Sequence, residues 1–123
     1  SVILVDEGNN ISEGPGFNIF CVDASGLNTP DKGVLEGVTR QTVLDLAEEI
    51  KLPVNLKPIS IDMLNGSIEV FATSTAGGIM PITKINNQLV GNGSPGKVTR
   101  QIHKSYWELH VNSKWTQSVN DLV

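Results

Sequence analysis

The chain has 123 residues, a net charge of −4, 39% hydrophobic and 18% charged residues, which bounds it to one ordinary domain with a single core and excludes a disordered segment. Its nine basic residues are scattered, so no clustered surface for nucleic-acid phosphates is expected. No apolar run reaches the roughly 20 residues of a membrane span and no basic-then-apolar leader precedes the first strand, so the expectation is a soluble cytoplasmic protein.

The first run, Val2 to Val5, follows Ser1 without a polar lead-in, and the chain therefore reads as a piece of a longer one. Val2 to Val5 and Phe17 to Val22 are apolar runs separated by a turn-rich stretch, which predicts a hairpin of two strands. The lone Cys21 in the second run has no disulfide partner within the chain and is expected as a buried, inert thiol. Asp23-Ala24-Ser25-Gly26 is a turn, and 27–35 reads as an irregular piece containing Thr29-Pro30.

From Thr39 to Lys51, Val43, Leu46, Ala47 and Ile50 recur at helical steps opposite Asp45, Glu48 and Glu49, which predicts a helix lying on a sheet. Pro53 stops it, and Val54 to Ile59 reads as a strand. A short helix or turn at 61–66 follows. Ile68 to Thr73 and Ile79 to Ile85 then read as neighbouring strands around a small-residue loop, the second running into the turn at Asn86-Asn87. A second helix is expected to open on a cap from Ser94-Pro95, to carry Val98, Ile102, Tyr106 and Leu109 on one face, and to end near Val111 to Ser113. Strands and helices alternate in one mixed α/β domain without internal repeats.

Three loops carry residues suited to a phosphorylated ligand. Leu35 to Arg40 places Gly37 and Thr39 at a helix start, where free N–H groups and the positive dipole end favour an anion; the same residues also suit an ordinary helix start. Thr73-Ser74-Thr75-Ala76-Gly77-Gly78 offers hydroxyls and close backbone approach, or simply a tight connection. Ser12 to Asn18 holds one acid, Glu13, in a glycine-rich turn before a strand.

Taken together and in this order, EGPGFNIF, TPDKGVLEGVTR, FATSTAGGIMPI and NGSPGKVTRQI resemble the class IV (fold type IV) aminotransferases, the family of branched-chain and D-amino-acid aminotransferases and (R)-selective amine transaminases. The resemblance implies the mixed-sheet cofactor domain of that fold and pyridoxal 5'-phosphate as cofactor. Glu13 would bond the pyridine nitrogen. Gly37, Val38, Thr39 and Thr75 would hold the phosphate, and Ser74 and Ala76 would line the substrate side. Arg40, next to the phosphate threonine, would be a supporting cation. His103 and His110 make no metal site, and Trp107 and Trp115 suit packing or an interface.

The resemblance also implies a Schiff-base lysine, which in this family lies further ahead of the glutamate motif than the twelve residues before Glu13. It would fall before Ser1, together with the smaller N-terminal domain. No catalytic residue is therefore assigned within the chain. The functional expectation is the cofactor-binding part of a dimeric aminotransferase acting on branched-chain amino acids and their keto acids, or on D-amino acids or (R)-amines. The alternatives are an aminodeoxychorismate lyase-like enzyme and a stand-alone domain that binds a phosphorylated ligand or a partner chain.

Overall fold

The computed structural model describes residues 10–11, 17–31, 37–74, 78–85 and 87–122, with side chains described from residue 17 to residue 109. In chain order the elements are β1 (Asn10–Ile11), β2 (Asn18–Asp23), β3 (Gly26–Thr29), α1 (Val38–Glu49), β4 (Val54–Leu56), β5 (Ile59–Ser60), α2 (Ile61–Asn65), β6 (Glu69–Ser74), β7 (Gly78–Ile82), β8 (Lys84–Ile85), β9 (Gln88–Leu89) and α3 (Lys97–Leu122). The main sheet has the order β4-β3-β2-β6-β7. All its neighbours are antiparallel except β3 and β4, which run parallel. Parallel neighbours need a crossover, and α1 provides it.

Residues on β2 and β6 alternate between two cores, as the pleat requires. Phe20, Val22 and Phe71 face α1 and α3, where Val43, Leu46, Ala47 and Ile102 meet them. Phe20 and Phe71 are register partners whose rings stack with centroids 5.0 Å apart. Ile19, Cys21, Val70 and Ala72 face the other way, against Ile59, Leu64 and Val90. Burial there pushes the Cys21 thiol above its usual value of 9.0.

Several expectations change. The predicted strand at Val2 to Val5 lies outside the described residues, and β2 pairs with β3 and β6. Residues 27–29, expected to be irregular, belong to β3: the Ala24-Ser25 turn, held by the Ser25 N–H and hydroxyl on Asp23 Oδ1, folds β3 straight back on β2. Polar Asn28 and Thr29 hide this strand in the sequence, yet both are fully buried, Thr29 donating to the Ile19 carbonyl at 2.7 Å.

The strand expected over 54–59 divides into β4 and β5, which pair in different sheets, with Lys57 and Pro58 between them. The strand expected over 79–85 likewise divides at Thr83 into β7 and β8. Val98, Ile102 and Tyr106 of α3 do pack on the core, but Leu109 is exposed and the helix continues to Leu122.

The start of α3 is met from a distance. Glu69, buried at the head of β6, accepts the N–H of Val98 at 3.2 Å and of Thr99 at 2.7 Å. A carboxylate at a helix N-terminus satisfies free donors and opposes the dipole, so Glu69 does what was expected of Ser94.

Candidate functional site

The start of α1 brings no side-chain cap of its own. Gly37 occupies the N-cap with extended backbone, makes no side-chain cap, and no acid follows in the first turn. The helical ladder begins with Gln41 N–H on the Gly37 carbonyl at 3.1 Å, so the N–H groups of Val38, Thr39 and Arg40 precede its first rung. A helix normally satisfies such donors with its own Ser, Thr, Asp or Asn. Here the sequence supplies glycine, and the Val38 side chain stands out at 79% exposure.

Neighbouring strands fix where this end lies. A Cβ added to Gly37 would approach Asn18 Oδ1 to 2.9 Å, so the first residue of β2 sits directly against the N-cap. Thr39, itself buried, donates its hydroxyl to the Ser74 carbonyl at 3.3 Å, tying the first turn of α1 to the last residue of β6. Asn18 and Thr73 are register partners in the sheet. The Thr73 hydroxyl is buried without a hydrogen-bond partner. The start of β2, the end of β6 and the start of α1 thus converge on one end of the sheet.

Of the residues singled out from the sequence, Gly37, Val38, Thr39 and Ser74 are brought together here. Glu13, Thr75 and Ala76 lie outside the described residues. Arg40 turns inward, only 6% exposed, and its Nη2 donates to the Pro30 carbonyl at 3.1 Å. His103 lies edge-on to Trp107 at 6.5 Å, and among the described residues no group of three or more His, Cys, Asp or Glu could hold a metal ion. Asn18 was missed by sequence reasoning, because its burial and its approach to Gly37 emerge only in the fold.

The arrangement suits a phosphate monoester: the first-turn N–H groups of α1 precede its first rung, and Gly37 brings no side chain to cap them or fill the mouth. The family model for class IV amino-transferases matches residues 1–85, more than half of the sequence. The chain belongs to the class IV aminotransferase family.

Among relatives of this class IV chain, the probable branched-chain-amino-acid aminotransferase of Aquifex aeolicus is 33% identical over 127 residues, covering 97% of the chain and 41% of the relative. The branched-chain-amino-acid aminotransferase of Escherichia coli K12 is 34% identical over 118 residues, covering 92% and 38%. Among solved structures, the Escherichia coli enzyme superposes with a TM-score of 0.84 at 35% identity, over 87% of the chain and 37% of that structure. The T.th. branched-chain amino acid aminotransferase with pyridoxamine 5'-phosphate gives 0.83 at 31% identity, over 86% and 36%. The chain therefore spans about two fifths of the length of these relatives, and its mixed α/β fold is theirs. No helix among the described residues is long and apolar enough to cross a membrane.

Proposed function

We propose that this chain is the cofactor-holding part of a pyridoxal 5'-phosphate-dependent aminotransferase acting on branched-chain amino acids and their keto acids. The observation that carries the reading is the uncapped start of α1, closed by Asn18 on one side and tied through Thr39 to the end of β6. The cofactor, when bound, supplies an electron sink for amino-group transfer.

The protein's part is to hold and orient. The N–H groups of Val38 and Thr39 and the hydroxyls of Thr39 and Thr75 would take the phosphate, with Gly37 leaving room for it. Glu13 would keep the proton on the pyridine nitrogen, and Ser74 and Ala76 would face the substrate with their backbone. The reactive lysine would come from a segment ahead of these residues in the working enzyme, which we place as a homodimer in the cytoplasm.

Two substitutions in that enzyme separate these roles. Glu13→Gln should retain cofactor while slowing amino transfer about a hundredfold, equivalent to ~3 kcal/mol of lost transition-state stabilisation. Thr39→Val should instead lose cofactor readily, with a smaller effect on the saturated rate. Transfer rates measured at saturating cofactor, beside absorbance titration of cofactor occupancy, check both. An undiminished rate in Glu13→Gln would remove the assignment to the ring nitrogen.

A further inference from the structure

Arg40 is the third residue of α1, within the turn whose N–H groups lie ahead of the helical ladder. Its side chain is 6% exposed; Nη2 donates to the Pro30 carbonyl, and Nε is buried without a hydrogen-bond partner. A buried guanidinium whose one hydrogen-bond acceptor among the described residues is a neutral carbonyl is expensive, because desolvation of the charge is best repaid by an opposite charge nearby. The buried carboxylate of Glu69 does not meet that need, since its oxygens accept the N–H groups of Val98 and Thr99. The helix end one residue away, by contrast, is built to receive an anion.

We propose that Arg40 is a positioning residue for that anion, its fork pinning the exit of β3 to α1 while its charge makes the seat prefer a phosphate monoester over the same ligand without phosphate. The inference rests on the reading of the α1 start as a phosphate seat. Pinning follows from the bond to Pro30, the residue immediately after β3, which fixes the strand relative to the first helical turn. Preference follows from Coulomb attraction, which acts at full strength on a phosphate and scarcely at all on the uncharged alcohol that replaces it. Lysine would keep the charge but not the planar fork.

The test is calorimetric titration of the cofactor-free enzyme that carries this chain with pyridoxamine 5'-phosphate, pyridoxamine and inorganic phosphate. Arg40→Gln should weaken both phosphate-bearing ligands about tenfold and leave pyridoxamine unchanged, whereas Arg40→Lys should stay within about threefold of the parent. Equal weakening of all three ligands by Arg40→Gln would reduce Arg40 to a structural residue and overturn the proposal, as would an undiminished phosphate preference. If the Gln variant does not fold, Arg40→Lys decides alone: the preference kept supports the fixed charge, and the preference lost overturns it. A parent enzyme that fails to distinguish pyridoxamine 5'-phosphate from pyridoxamine would instead sink the phosphate seat itself, and this inference with it.

Discussion

At the N-cap of α1 a single methyl group decides how much room remains. Gly37→Ala would drive a Cβ to 2.9 Å from Asn18 Oδ1, although its φ of −73° suits any residue, so the effect is one of contact and not of backbone strain. Moving a buried amide costs about 1–3 kcal/mol, and the displaced N-cap should also weaken phosphate binding; urea denaturation and calorimetry with inorganic phosphate measure the two effects. Cys21 yields a prediction of opposite character. Its folded thiol titrates above the usual 9.0, so folding favours the protonated form; its contribution is fully present below that value and declines as pH rises through it toward the folded pKa. The stability advantage of the parent over Cys21→Ala should therefore shrink as pH rises past 9.0 in urea titrations. Gly37 and Thr39 were readable in advance because helix ends announce themselves locally. Asn18 was not, because its importance lies in a contact with a residue nineteen positions further on.

At the scale of an element, α3 depends on a residue that belongs to another. Glu69 takes two of its first N–H groups, and Gly96 lets the chain pass so close that a Cβ there would collide with the Glu69 carboxylate. Charged hydrogen bonds to a buried partner are each worth about 1.5–3 kcal/mol. Glu69→Ala should accordingly lose about 3 kcal/mol or more of stability in urea denaturation, and Glu69→Gln, which keeps one acceptor oxygen, about half as much. If Glu69→Ala were neutral, the helix start would have to be satisfied by its own residues after all. The helical stripe of Val98, Ile102 and Tyr106 was legible from spacing alone and packs on the core as expected. Its cap was misread, since Ser94-Pro95 is a good local signal and the true partner comes from a strand some thirty residues earlier.

For the whole molecule, β2 and β6 are the frame on which everything else is hung. They are adjacent inner strands of the sheet, and their alternation supplies both cores. Phe71 stacks on Phe20 between them and is fully buried, so Phe71→Ala should cost about 3–5 kcal/mol. A thermal midpoint lowered by only a degree or two would mean the pair is dispensable. The same pair explains which strands could be anticipated. Apolar β2 and β6 stand out in the sequence, whereas β3, built from a glycine, a leucine and two buried polar residues, draws its strand character from neighbours on both sides. The division of 54–59 between two sheets was hidden for a related reason: what each half pairs with is set by chain segments far away.

The bare glycine cap on α1 ties occupancy to local order. A helix that lacks its own cap frays at that end, and its first-turn amides spend part of their time open to water. An anion seated on Val38 and Thr39 would act as the absent cap, so closing the turn and holding the ligand become one event with one free energy. Amide hydrogen exchange at these positions would then slow in proportion to occupancy, making the backbone of α1 its own reporter of whether the seat is filled.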